Sequence, residues 1–208
     1  MKAVVRCTAQ QQQELLEKTT AANVEFVFTG ANQVDFINTS GDVFFDLIVD
    51  EQYPVIDKTD VPVFVNAVVL TSRDLPANYI RMNAWSGFLK RDIVEVSTQW
   101  LQAYVEQTMQ ALGWKYQFVP DEPGMVAPRI IAMIVNEAYF GLEDGISTKD
   151  EIDTAMKLGT NYPYGPFEWA EKIGKQQILL LLQTLCRQDR RYAPAQLLVD
   201  ETGSITQS

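Results

Sequence analysis

The chain has 208 residues, 47% of them hydrophobic, enough for one large domain or two small ones around a packed core. A formal net charge of −10 excludes a nucleic-acid binder, whose phosphate partner demands basic surface, and no apolar run is long enough for a membrane helix. There is no histidine, so the usual general base near neutral pH is missing, and with it any Ser-His-Asp or Cys-His arrangement.

In chain order, residues 2–7 read as a short buried strand centred on Val4 and Val5. The amino terminus lacks a signal-peptide layout, which places the protein in the cytoplasm. Residues 9–22 form a polar, Gln-rich helix with Leu15 and Leu16 as its apolar contacts. Residues 24–29 are a second strand ended by Gly30, and 31–41 a turn-rich connection. Residues 42–50 give a third strand whose apolar centre is interrupted by Asp46, 61–70 a fourth and 79–85 a fifth. Strands alternating with short helical connections predict an α/β layer with a partly parallel sheet. Residues 97–112 read as an amphipathic helix capped by Ser97, with Trp100, Leu101, Tyr104, Val105, Met109 and Leu112 on one face. A strand over 114–119 follows.

Near Pro120 strand-sized apolar runs give way to helical periodicity, which sets a domain boundary at about residue 121. The first helix beyond it carries Ile130, Ile131, Ile134, Ala138 and Leu142. Thr148 stands three residues ahead of Glu151, the spacing of a capping box. The helix it opens carries a stripe of Ile152, Ala155, Met156 and Leu158, with Gly159 as its stop. Pro166 suits the first position of the next helix, where its missing N–H would be unpaired anyway. Ile178, Leu179, Leu181, Leu182 and Leu185 make a helix apolar nearly all round, buried on several sides or set in a subunit interface. The tail, 200–208, is polar and frayed.

Four segments of the second half carry a family resemblance. They are Pro123-Gly124-Met125, Asn136-Glu137-Ala138, Ile152-Asp153-Thr154-Ala155-Met156-Lys157-Leu158-Gly159 and Tyr162-Pro163-Tyr164-Gly165-Pro166-Phe167-Glu168. In that order they resemble the carboxy-terminal domain of the 3-hydroxyacyl-CoA dehydrogenases, and Arg191-Tyr192-Ala193-Pro194 with Leu197-Leu198 resembles its ending. In the first half, the strand around Asp46-Leu47-Ile48-Val49-Asp50-Glu51 and the segment from Arg81 to Val96 resemble parts of the family's dinucleotide-binding domain. The resemblance implies an α/β plus all-α fold. Residues 1–120 would be a reduced Rossmann-like domain, 121–199 a helical dimerisation domain and 200–208 a flexible tail. It also implies a homodimer paired through the helical half.

The family's reaction needs a histidine base, a glutamate that orients it and an asparagine on the substrate oxygen. Residue by residue, these fall on Asn83, Glu95 and Pro128. Asn83 cannot accept a proton near neutral pH and Pro128 has no amide. Glu95 either keeps a chemical role or accepts strand-end hydrogen bonds and faces water. Asn83 and Ser86 line a residual cleft or serve a turn or edge, and Trp85 and Phe88 are core or cleft wall sooner than a stacking platform. Arg129 pairs with a helix carboxylate or holds a ligand phosphate, while Arg187, Arg190 and Arg191 favour a helix carboxyl end.

A nicotinamide dinucleotide also requires a Gly-rich turn after strand one. Here that turn reads Cys7-Thr8-Ala9-Gln10-Gln11-Gln12. The sequence therefore predicts a dehydrogenase relative without dehydrogenase activity, with no cofactor and no confident catalytic residue. Such a relative would bind an acyl thioester or small acid, or associate with another subunit. The alternative is a divergent oxidoreductase on a 3-hydroxyacyl thioester or related hydroxy acid, with NAD as cofactor and Glu95 as the carboxylate base. Cys7 and Cys186 are read as two reduced thiols, and no clustered spacing suggests a metal.

Overall fold

A computed structural model describes residues 1–48 and 61–203. It divides into two compact units, Met1–Met125 and the chain from Val126 onward. In the first unit the elements are β1 (Lys2–Arg6), α1 (Ala9–Glu17), β2 (Glu25–Phe28), α2 (Gln33–Asn38), β3 (Val43–Asp46), β4 (Val63–Asn66), β5 (Tyr79–Met82), β6 (Ile93–Ser97), α3 (Gln102–Leu112) and β7 (Lys115–Phe118). The strands form one sheet in the order β2-β1-β3-β4-β5-β6-β7, parallel throughout except for the β5–β6 pair. The part of the third-strand segment beyond Ile48 lies outside the described residues.

Strand alternation sorts the core onto two faces. Ala3, Val5, Val43, Phe45, Leu47, Phe64, Ile80 and Met82 pack with α1 and α3 through Leu15, Val105, Met109 and Leu112. Val4, Phe44, Val63, Val65 and Tyr79 pack on the other face with Phe36 of α2. Every residue of β3, β4 and β5 is buried. Apolar residues therefore dominate these strands, as in strands covered on both faces, and the buried Asp46, Asn66 and Arg81 are the polar exceptions.

Several expectations change. The 31–41 connection holds a helix, α2, because the Asn32 side chain accepts from the N–H groups of Val34 and Asp35. Ser97 ends β6 and does not cap α3, which begins at Gln102 after Leu101, without a side-chain cap. Trp100 thus precedes the helix and stands 78% exposed. Strand β6 itself was hidden in the segment between Arg81 and Val96. Leu16 faces solvent, whereas the polar Gln11 and Glu14 of the same helix are buried.

The second unit holds α4 (Ala127–Glu143), α5 (Lys149–Thr160), α6 (Pro166–Ile173), α7 (Lys175–Cys186), a 3-10 turn (Arg190–Tyr192) and α8 (Gln196–Gly203). Its described residues contain no strand. Thr148 and Glu151 form the capping box that opens α5, and Pro166 starts α6. Helix α5 runs past Gly159 and ends on Asn161, whose φ of 55° places it in the left-handed region. Leu158 and Ala155 face solvent, so the expected apolar stripe of α5 is not a core stripe.

Ile130 is likewise exposed, and α4 buries Ile131, Ala132, Val135, Ala138 and Tyr139 instead. Ile178, Leu179, Leu181, Leu182 and Leu185 of α7 are all buried. Exposed apolar side chains remain at Val126, just ahead of α4, at Ile130 and Phe140 of α4, and at Ile146, Leu158 and Leu180.

Candidate functional site

In a parallel sheet, ligands bind beyond the carboxyl ends of the strands, where the strand order reverses. Here the reversal lies at β1, with β2 on one side and β3 on the other. The groups at that point are already in use. Arg6, the last residue of β1, pairs with Asp46 at the end of β3 at 3.0 Å. Its Nε donates to the Ala31 carbonyl beyond β2. Burial pushes the Asp46 carboxyl up to about 6, and the Arg6 guanidinium offsets only part of that.

The turn after β1 is closed from within. The Thr8 hydroxyl accepts the Gln11 N–H at 3.2 Å, and the Gln11 Oε1 accepts the Thr8 N–H at 3.0 Å. A capping box therefore satisfies two of the orphan donors of α1 that a phosphate would otherwise meet. The same Gln11 amide donates through Nε2 to the Leu47 carbonyl at 2.8 Å and the Ala84 carbonyl at 3.1 Å. Its hydrogen-bonding capacity is then filled. One turn further on, the buried Glu14 carboxylate accepts the Gly87 N–H through both oxygens, at 2.7 and 2.9 Å.

Beyond β2, where an acid for a ribose would stand, Asn32 is committed to capping α2. The residues at this end of the sheet do not fit a nicotinamide dinucleotide in its ordinary place.

The residues singled out in the sequence fall as follows. Asn83 follows β5 and is buried; its N–H donates to the Glu95 carbonyl at 3.0 Å. The antiparallel register of Arg81 with Ser97 and Met82 with Val96 sets Asn83 opposite Glu95. The bond that joins these two across neighbouring strands is one of backbone to backbone. Glu95 is half-buried. Pro128 lies in the other unit, buried in the first turn of α4. Trp85 and Phe88 are core, at 5% and 3% exposure. Gly87 has a φ of 94°, a conformation that L side chains rarely adopt. Arg129 is half-buried on α4, and Arg187, Arg190 and Arg191 are exposed at and beyond the end of α7.

Arg81 was not expected to matter. It is fully buried, donates to the carbonyls of Ala67, Val68 and Glu122, and pairs with Asp121. Asp121 also accepts from the Ser72 N–H and hydroxyl. This one guanidinium ties the loop after β4 to the turn at 121–125. Only its place inside a strand hinted at such a role. Among the described residues, no group of three or more His, Cys, Asp or Glu side chains could hold a metal, and both cysteines are free. Nor is any helix long and apolar enough to cross a membrane.

In the helical unit the motif residues are structural. Asn136 donates to the Ala193 carbonyl and accepts the Ala195 N–H, both at 2.8 Å. Asp153 accepts the N–H groups of Phe167 and Glu168, capping α6 from the neighbouring helix.

A Rossmann-like α/β domain followed by a helical domain is the architecture of the 3-hydroxyacyl-CoA dehydrogenases. The chain matches an (S)-3-hydroxybutyryl-CoA dehydrogenase from Ralstonia eutropha with a TM-score of 0.68 over 97% of its own length and 93% of that chain. At 22% identity this likeness is one of fold. Residues 124–202 match the family model of the 3-hydroxyacyl-CoA dehydrogenase C-terminal domain. The 3-hydroxyadipyl-CoA dehydrogenase of Escherichia coli is 48% identical over 92 residues, 43% of this chain and 19% of that protein. The 3-hydroxybutyryl-CoA dehydrogenase of Clostridioides difficile is 32% identical over 137 residues, 62% of this chain and 49% of that protein. The matched stretches thus span half or less of these relatives.

Proposed function

We propose that this chain is a 3-hydroxyacyl-CoA dehydrogenase relative that holds an acyl thioester or a small acid without ordinary nicotinamide-linked hydride transfer. The observation that carries the reading is the β1–α1 turn. It has no glycine, and Thr8 and Gln11 cap the helix end that would face a pyrophosphate. The buried Asn83 supports it too, since an amide cannot take a proton from a hydroxyl substrate near neutral pH.

A second reading is the one that the relatives' names favour, because each of those quoted is a dehydrogenase. Under it the chain is a divergent oxidoreductase on a 3-hydroxyacyl thioester or related hydroxy acid. Glu95, the carboxylate opposite Asn83, is then the base and NAD the cofactor, bound by a route other than the β1–α1 turn.

One pair of measurements separates the two. Calorimetric titration with NAD and NADP, and an absorbance assay with acetoacetyl-CoA and reduced nicotinamide, should both be silent. Micromolar affinity or clear turnover would instead establish the oxidoreductase. A cytoplasmic homodimer paired through the helical unit completes the proposal, and the exposed Val126, Ile130 and Phe140 of α4 support the pairing.

A further inference from the structure

We infer that the crevice at the carboxyl ends of the strands is self-ligated: Gln11 and Glu14 of α1, with Arg6 of β1, occupy it as a built-in ligand. This deepens the proposed function and rests on it for one point, that no dinucleotide enters there. The remainder rests on geometry.

A ligand-holding crevice leaves backbone N–H and C=O groups at the strand ends open for its guest. In this chain those groups are taken, strand by strand. The turn beyond β2 offers the Ala31 carbonyl, and Arg6 Nε takes it. The end of β3 offers the Leu47 carbonyl, and Gln11 Nε2 takes it. The turn after β5 offers the Ala84 carbonyl and the Gly87 N–H, which Gln11 and Glu14 take. Asn66, the last residue of β4, accepts the Ala84 N–H at 3.0 Å.

Burial makes these bonds matter. Gln11 and Glu14 are each 5% exposed and Asn66 8%. A buried carboxylate has to be compensated, and Glu14 accepts the Gly87 backbone N–H through both its oxygens. A carboxylate on a backbone N–H in a glycine turn is how such a turn would hold an anionic guest; here the guest is part of the chain. The 84–87 turn should therefore be ordered without any added ligand.

Hydrogen exchange on the full-length chain tests this. The Gly87 amide should exchange slowly in the ligand-free wild type. It should exchange about ten- to a hundredfold faster in Glu14→Ala, the range expected when a charge-assisted buried bond is lost. Glu14→Gln, which keeps the shape and one acceptor, should fall between. Glu17→Ala, on the exposed side of α1, should change nothing at Gly87. The inference is overturned if the wild-type Gly87 amide exchanges at the unprotected rate, or if its protection develops only when NAD or NADP is added. Nicotinamide turnover by a chain whose Gly87 amide is already protected would end the non-catalytic reading and leave this inference standing. The two therefore fail separately.

Discussion

Asn83 is where a single residue most clearly separates the two functional readings. It is buried opposite Glu95, so Asn83→His would place an imidazole beside a carboxylate able to orient it. A general base contributes on the order of a hundred- to ten-thousandfold, but only on a bound and oriented complex. With the β1–α1 turn capped from within, Asn83→His is expected to stay inactive with acetoacetyl-CoA and reduced nicotinamide.

Two carboxylates, the buried Asp46 and the half-buried Glu201, make opposite predictions about pH. Asp46 is raised by burial from 3.8 to about 6, so the folded protein binds its proton more tightly than the unfolded chain. Its contribution is fully present below 3.8 and is lost as pH rises through about 6. Melting curves of Asp46→Asn should lack that fall between pH 4 and 6, provided that the unpaired Arg6 does not unfold the variant. Glu201 is pushed up by burial, but Lys149, Lys175 and Tyr139 outweigh this and hold it down at about 2. Its contribution is present above 4.5 and is lost as pH falls toward about 2. Glu201→Gln should cost about 1.5–3 kcal/mol at pH 7, the range for hydrogen bonds to charged groups, and progressively less as pH falls through about 2.

At the level of elements, Glu201 of α8 meets Tyr139 of α4, Lys149 of α5 and Lys175 of α7. One carboxylate therefore ties together four helices. Asp153 does similar work between α5 and α6, and it explains Gly165. A Cβ on Gly165 would lie 2.3 Å from the Asp153 carboxyl, so the cap and the glycine require each other. Asp153→Ala should cost about 0.5–2 kcal/mol, the range for a lost helix cap, read from denaturant midpoints. Gly165→Ala should cost at least as much, because the aspartate has to move to admit the methyl group.

These elements also show why the family motifs announced a fold and little chemistry. Asn136, Asp153 and Gly165 stand in motif segments, and each is explained by a bond or close approach inside the helical unit. The capping boxes at Thr8 and Thr148 involve residues three apart, so the one at Thr148 was readable directly from the sequence. The start of α3 was misread because Ser97 resembles a cap. Its burial at the end of β6 depends on pairing with β5 and β7.

For the whole molecule, the proposed pairing draws on α4 more than on α7. Most leucines of α7 are buried inside their own unit, with Leu180 39% exposed, whereas Ile130 and Phe140 of α4 and Val126 just ahead of it are exposed. Light scattering at micromolar concentration should give about twice the 23.5 kDa of one chain. Ile130→Glu should return the monomer with little loss of stability, because Ile130 is 52% exposed. A wild-type mass near 23.5 kDa would count against the pairing.

By itself the sequence determined the change from α/β to all-α, most of the strands and the capped starts of α5 and α6, though not α2, β6 or the start of α3. These depend on apolar period and on contacts within one turn of chain. It also set the loss of the Gly-rich turn and of histidine, which are matters of composition. Only the tertiary structure decided what fills the crevice. Gln11 meets Leu47 and Ala84 across 36 and 73 residues, Glu14 meets Gly87 across 73, and Arg6 meets Asp46 across 40. The capping-box spacing from Thr8 singles out Gln11 among four consecutive glutamines, but nothing local selects Leu47 and Ala84 as the partners of its Nε2. That choice is made when the sheet brings distant strand ends, each with an unpaired backbone group, to the same side of α1.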